Sequence, residues 1–172
     1  MPSSDQGITQ DRYTLIPRTL IFLTRGERVL LIKGAPHKRL WANLYNGIGG
    51  HIERGEDVLA SARRELQEET GLQSTDLWLC GVITVDTGQN TGIGIYVFKG
   101  ECSSGETNPS CEGALEWVAY AEVFEKPLVE DLYHLLPRVL QMQPGDSPFS
   151  ANYSYNKAGK MVVRFSAENL VS

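Results

Sequence analysis

The sequence predicts a single α/β or α+β sandwich, and three observations predict it. The apolar residues fall mostly into short runs rich in β-branched side chains. One segment, 57–70, carries an unbroken helical pattern with signals at both ends. A chain of 172 residues with 41% hydrophobic side chains is enough for one sizeable core. No internal repeat, low-complexity tract or linker divides it. Residues 1–12 are expected to be a flexible N-terminal segment, 13–143 the main domain, and 144–172 a C-terminal hairpin extension packed on or paired with it.

The elements follow in order. Residues 19–24 (TLIFLT) and 28–33 (RVLLIK) are strand-like, and the Arg25-Gly26-Glu27 stretch between them predicts a hairpin. Residues 34–46 have no clean period and read as a loop. Gly47-Ile48-Gly49-Gly50 is too glycine-rich for a strand interior, so backbone approaches something closely there. The helix at 57–70 is opened by acidic residues and closed by Gly71. Residues 78–86, 92–99 and 115–120 read as strands, and 100–113 as a surface loop. A second helix is expected over 131–140, with Pro137 kinking it or ending it early. After a turn at 144–148, residues 153–155 and 161–165 flank Asn156-Lys157-Ala158-Gly159-Lys160 as a terminal hairpin.

The charge balance, 16 Lys+Arg against 21 Asp+Glu, gives net −5. Such a chain as a whole repels a polyanion. Either nucleic acid polymer is not the partner, or a small phosphorylated ligand arrives with counter-cations. No apolar run approaches the roughly 20 residues that span a bilayer. The opening MPSSDQGITQ has neither the basic nor the apolar part of a secretory signal. Cys80, Cys102 and Cys111 stand at unrelated spacings, which gives no zinc pattern. They read as unpaired thiols in a reducing cytoplasm, or as one free thiol beside a Cys102–Cys111 bridge.

The chemistry concentrates in Gly50 to Leu72, GHIERGEDVLASARRELQEETGL. With Glu65 at 0° on a wheel of about 100° per residue, Glu68 falls near −60° and Glu69 near +40°. Val58, Leu59, Ala62 and Leu66 mark the core-facing stripe beside them, so the carboxylates sit at the edge of the buried face. This crowding is locally unfavourable. Like charges at i,i+3 and i,i+4 repel, and the last turn of a helix prefers cations. One reading is a solvated acidic face neutralised by Arg63 and Arg64. The other is a site for a hard divalent cation, because oxygen ligands suit Mg²⁺ or Mn²⁺.

The surroundings favour the second reading. Gly50, Glu56, Arg64, Glu65, Leu66, Glu68, Glu69, Gly71 and Leu72 fill every position of G-x5-E-x7-R-E-U-x-E-E-x-G-U, where U is aliphatic. At average residue usage such a match arises by chance on the order of once in 10⁷ chains or fewer. The segment resembles the Nudix box, and the chain is identified by it as a member of the Nudix hydrolase family. The resemblance extends in element order over roughly residues 14–140.

That resemblance implies an α/β/α sandwich with a mixed central sheet, and hydrolysis of a nucleoside diphosphate linked to a further group. It makes Glu65, Glu68 and Glu69 metal ligands, with the Gly49 carbonyl and Glu112 as further candidates. It makes Arg64 the residue that orients a carboxylate through a salt bridge to Glu56. Glu68 or Glu69 is the candidate general base. Mg²⁺, with Mn²⁺ as substitute, is the implied cofactor. The stretch Tyr45-Asn46-Gly47-Ile48-Gly49-Gly50 is similar to the W-N-G-F-G-G segment of 8-oxo-dGTP diphosphatases, where the Asn reads the purine edge. Leu128-Val129-Glu130-Asp131 stands where that subgroup has W-P-D-D, with Leu in place of Trp and Glu in place of one Asp. Asn46, Glu130 and Asp131 are therefore candidate substrate contacts; Asp131 reads equally as a helix N-cap.

His37 and Lys38 are phosphate contacts or solvated loop residues, and Trp117 reads as core. The expected activity is cleavage of a (deoxy)nucleoside triphosphate, 8-oxo-dGTP among the candidates, to monophosphate and pyrophosphate. The alternatives are a nucleotide sugar or dinucleoside polyphosphate as substrate, or an inactive ligand-binding or scaffold domain. The partner is a small nucleotide, with no membrane, and the chain is a monomer or homodimer.

Overall fold

The computed structural model describes residues 2–7, 11–73, 76–103, 105–108 and 113–166. Eight strands and two helices run β1 Thr14–Arg25, β2 Arg28–Gly34, β3 Tyr45–Asn46, α1 Val58–Thr70, β4 Trp78–Val85, β5 Thr91–Glu101, β6 Gly113–Ala119, α2 Leu132–Gln141, β7 Phe149–Tyr155 and β8 Met161–Phe165. They build one mixed sheet in the order β3-β2-β1-β5-β4-β7-β8, with β6 paired to β2.

Two cores lie on opposite faces of this sheet. Leu20 and Phe22 of β1 pack with Leu132, Leu135, Leu136 and Val139 of α2. Ile21 and Leu23 point the other way and pack with Ala62 and Leu66 of α1. A strand buried on both faces reads as a continuous apolar run rather than an alternation, as LIFL does. The layers are therefore α1, sheet, α2, the α/β/α sandwich that the sequence implied.

The expected hairpin of 19–24 with 28–33 forms, but it is short. β1 and β2 pair antiparallel only at Thr24↔Val29 and Arg25↔Arg28. On its other edge β1 runs parallel to β5, from Thr14↔Thr91 to Thr24↔Glu101. β2 pairs with β6 along its other edge, from Arg28↔Ala119 to Gly34↔Gly113. The physical reason lies in the glycine segment. The Ile21 N–H donates to the Ile48 carbonyl (2.7 Å) and the Ile48 N–H to the Ile21 carbonyl (3.1 Å). The Thr19 N–H donates to the Gly50 carbonyl (2.9 Å). The edge of β1 that a hairpin partner would occupy is thus taken by Gly47 to Gly50.

Other expectations shift less. Tyr45 and Asn46, read within a loop, form a two-residue strand against Ile32 and Lys33. Pro137 does not end α2, which continues to Gln141; its apolar face is held by the core on both sides of the proline. A 3-10 turn occupies Ser3–Gln6 within the segment read as unpatterned. Cys80 is a buried free thiol, and burial pushes it up to about 12. Cys111, and with it the bridge reading, lies outside the described residues. Trp117 is half-buried beside the α1-side core, with the Arg25 guanidinium 4.3 Å from its ring centre.

At the C-terminal end, β7 pairs parallel with β4 from Gly81↔Phe149 to Val85↔Tyr153, and β8 folds back on β7. Arg138 of α2 sits over Phe149 and Phe165, 5.3 and 5.0 Å from their ring centres. Buried Lys99 of β5 donates to the carbonyls of Leu140 (3.0 Å) and Met142 (2.7 Å), satisfying the C-terminal end of α2. No helix among the described residues is long and apolar enough to cross a membrane.

Candidate active site

The site begins with α1, whose ends are fixed locally. Asp57 caps it: one carboxylate oxygen accepts from the N–H groups of Leu59 (2.9 Å) and Ala60 (2.8 Å). Gly71 closes it with φ 72°, its N–H on the Gln67 carbonyl. Ala62 and Leu66 hold the helix on the sheet. Glu65 is consequently drawn inward, to 13% side-chain exposure, while Glu68 stays 60% exposed.

Arg64 resolves the crowding of like charges. Its Nε donates to Glu56 Oε1 (2.6 Å) and its Nη2 to Glu56 Oε2 (3.0 Å), a two-pronged grip. Its Nη1 donates to Glu65 Oε1 (2.9 Å) and Glu68 Oε2 (3.0 Å). The same guanidinium reaches the His51 carbonyl at 3.0 Å, tying the glycine loop to the helix. Its hydrogen bonds to Glu56 hold that carboxyl down at about 2, and the carboxylates push the Arg64 pKa up in return. Both partners anticipated for Arg64 from the sequence, Glu56 and Glu68, are present.

The glycine segment lies against this helix from the other side. A Cβ at Gly50 would overlap the Glu65 carboxylate, and one at Gly49, with φ 153°, would overlap the Thr19 carbonyl. The Gly49 N–H donates to Glu69 Oε2 (3.4 Å). The close approach expected of this segment is therefore to β1 on one face and to the α1 carboxylates on the other.

A cleft of about 410 Å³ opens at this junction. Glu65, Glu69, Gly49, Asn46, Asp131 and Trp41 all line it. Lys38 and His51 also border it. Asn46 is carried by β3, and its Oδ1 accepts the Gly47 N–H (2.8 Å). Tyr45 ties it to the segment before α2: the Tyr45 N–H donates to Pro127 (2.8 Å) and the Tyr45 carbonyl accepts from Val129 (3.0 Å). The Tyr45 hydroxyl and Lys126 Nζ both donate to Glu116, each at 2.5 Å. Asn46 and Asp131 thus reach the same cleft from segments 85 residues apart in sequence.

Not every candidate is gathered there. Glu68 faces Arg64 and does not line the cleft, because its helical position lies past the buried edge. Glu130 is exposed and does not line it either; it precedes the residue that α2 turns inward. Asp131 makes no side-chain cap on α2. Burial instead pushes its carboxyl pKa up. His37 lines a separate surface hollow with Asn43 and Asn108. Glu112 lies outside the described residues.

Three residues of the cleft escaped the sequence reading. Thr19 is 4% exposed, with an Oγ1 that finds no partner. Arg18 borders the cleft with a buried, unpartnered Nε. Trp41 stands half-exposed on its wall. No spacing signals the first two, since strand residues join a site through pairing partners distant in sequence.

The donor set suits a hard divalent cation. The facing side chains are carboxylates, and glycine at position 50 leaves no side chain between the loop and Glu65. Among the described residues no backbone N–H outside the helices and strands donates to the Gly49 carbonyl, whereas the Gly50 carbonyl accepts from Thr19. Among the described residues no three His, Cys, Asp or Glu side chains converge tightly enough to hold an ion as they stand. Arg64 donates to two of the candidate carboxylates, Glu65 and Glu68.

An α/β/α sandwich with an arginine-clamped carboxylate helix facing a glycine loop defines the class. The chain belongs to the NUDIX domain family, whose profile matches residues 14–139. Two relatives carry the name oxidized purine nucleoside triphosphate hydrolase. One, from Danio rerio, is 33% identical over 100 residues, 58% of this chain and 63% of its own length. The match therefore spans less than two thirds of that relative. The other, from Mus musculus, is 29% identical over 124 residues, 72% of this chain and 78% of the relative. A crystal structure of a MutT protein from Bacillus halodurans superposes with TM-score 0.75 at 26% identity, covering 90% of this chain and 99% of that one. Nudix hydrolases generally depend on a divalent metal and act on small nucleotides.

Proposed function

We propose that this chain is a Mg²⁺-dependent Nudix hydrolase that converts a (deoxy)nucleoside triphosphate to monophosphate and pyrophosphate, with an oxidised purine such as 8-oxo-dGTP as the first substrate to test. The observation that carries this reading is the shared cleft, which joins the α1 carboxylates to Asn46 and Asp131. The carboxylates suit phosphates with their counter-cation, and Asn46 and Asp131 suit a base edge. The names of the two relatives support the same substrate class.

In this reading Glu65, Glu69 and the Gly49 carbonyl would hold the ion, with Glu68 a further candidate ligand. When bound, Mg²⁺ or Mn²⁺ supplies positive charge against the phosphoanhydride oxygens and acidifies water. Glu68 or Glu69 accepts the proton of the attacking water. Arg64, anchored on Glu56, sets where Glu65 and Glu68 point. Asn46 presents an amide, donor and acceptor together, to the base. Asp131, whose carboxyl pKa is raised by burial, presents a carboxyl group to the same base edge.

The test is steady-state turnover of 8-oxo-dGTP, dGTP, dATP, CTP, a nucleotide sugar and ADP-ribose, with products identified, with Mg²⁺ and in excess chelator. Monophosphate and pyrophosphate from a purine triphosphate, abolished by chelator, are expected. Preference for the nucleotide sugar, or no turnover at all, would overturn the reading in favour of another diphosphate substrate or of an inactive binding domain.

A further inference from the structure

We propose that Trp41, on the loop between β2 and β3, is the platform on which the substrate's base stacks. The inference rests on the reading of the cleft as a nucleotide site and adds the residue that grips the base.

The resemblance places Leu128 where the related subgroup has a tryptophan. Leu128 is buried in the α2-side core, its backbone bridged to Tyr45, and does not line the cleft. The cleft's apolar wall is otherwise aliphatic, made by Leu20, Ile95 and Val129. Trp41 is the one indole or phenyl ring on that wall among the described residues. It also bounds a smaller adjoining hollow of about 90 Å³ shared with Asn46 and Glu69.

The backbone holds Trp41 there at a cost. Its φ is 59°, and the only other non-glycine with positive φ among the described residues is Asn43 in the same loop. Asparagine tolerates that region, whereas a bulky residue is strained in it. The surrounding hydrogen bonds fix the strain: Gly34 N–H to Leu44 (2.9 Å), Asn43 N–H to Gly34 (2.9 Å) and Leu44 N–H to Trp41 (3.0 Å). Gly34 has no side chain because a Cβ would overlap the Trp41 carbonyl. Core packing does not account for the arrangement, since Trp41 is 45% exposed and belongs to neither core. A strained backbone presenting a large ring to a cleft, with hydrogen-bonding groups at the same wall, fits a flat aromatic ligand read at its edge.

The test measures binding of dGMP and of inorganic triphosphate, each with Mg²⁺, to wild type and to Trp41→Ala, Trp41→Phe and Trp41→Gly. Replacing the ring with alanine is expected to weaken dGMP binding about 5- to 150-fold, the range for one base stacked on one aromatic side chain. Triphosphate binding is expected to be unchanged, and Trp41→Phe to restore most of the dGMP affinity. Saturating dGMP should quench indole emission in wild type but not in Trp41→Phe, because Trp78 and Trp117 lie away from the cleft. Trp41→Gly relieves the positive φ, so its thermal midpoint should be at or above that of wild type while dGMP binding falls.

Equal dGMP affinity in wild type and Trp41→Ala would overturn this inference and leave the proposed function standing. Parallel loss of dGMP and triphosphate binding, or a lowered midpoint in Trp41→Gly, would assign Trp41 to holding the loop and overturn it too. A wild type that binds no nucleotide would remove both.

Discussion

Gly50→Ala tests the site with the smallest possible change, one methyl group. The added carbon would stand 2.5 Å from Glu65 Cδ and 2.7 Å from Glu65 Oε2, where ordinary contact begins at 3.4 Å. Glu65 Oε1 lies nearer still, so the carboxyl group must withdraw by about 0.7–1.0 Å, and it is too buried to swing freely into solvent. Withdrawal also breaks the 2.9 Å bond from Arg64. Displacement of a reacting group by about 1 Å costs on the order of 100-fold in rate. That is about 2.7 kcal/mol of lost transition-state stabilisation. Gly50 needs no positive φ, so alanine adds no backbone strain, and the fold should survive with a thermal midpoint within a few degrees. The assay is kcat/KM on the best triphosphate at saturating Mg²⁺, with circular dichroism to confirm the fold. Wild-type kcat/KM in a folded Gly50→Ala would refute the claim that Glu65 works from its place against the loop.

Three further outcomes are expected. Glu69→Gln should lower turnover by orders of magnitude at unchanged fold, and near-wild-type activity would show that Glu69 is neither ion ligand nor base. Glu56→Gln probes linkage. Arg64 holds the folded carboxyl at about 2, below the ordinary 4.5, so the pair stabilises fully above about pH 4.5 and loses its contribution as pH falls toward 2. The midpoint difference between wild type and Glu56→Gln should accordingly be largest at neutral pH and vanish near pH 2, and a difference that is constant with pH contradicts the assignment. Lys99→Met should leave the Leu140 and Met142 carbonyls unpaired and cost about 2 kcal/mol, offset in part by sparing a buried ammonium. A midpoint equal to that of wild type in thermal unfolding would show that the cap contributes nothing.

The carboxylate helix was legible because its signals are local. Asp57 and Gly71 cap it within a few residues, and Glu65, Glu68 and Glu69 share an arc by helical geometry alone. Arg64 meets Glu68 by the i,i+4 rule, and its grip on Glu56 spans only eight residues. The run 19–24 was legible as a strand but not in its pairing. A tight turn after it suggested β2, yet the burial of both its faces called for neighbours on both edges, and β5 and the glycine segment supplied them.

By itself, then, the chain's order of residues determined its helix ends, its acidic turn, the arginine that quiets that turn, and the glycines that admit close approach. Those depend on dihedral preference and on contacts a few residues long. Tertiary structure alone decided that Thr19 lies under the glycine loop, that Asp131 is desolvated beside Asn46, and that Trp41 rather than Leu128 offers a ring to the cleft. Each of these depends on which distant strands win adjacent places in the sheet. That choice is a sum over both cores and all hydrogen bonds, which no short window of sequence contains.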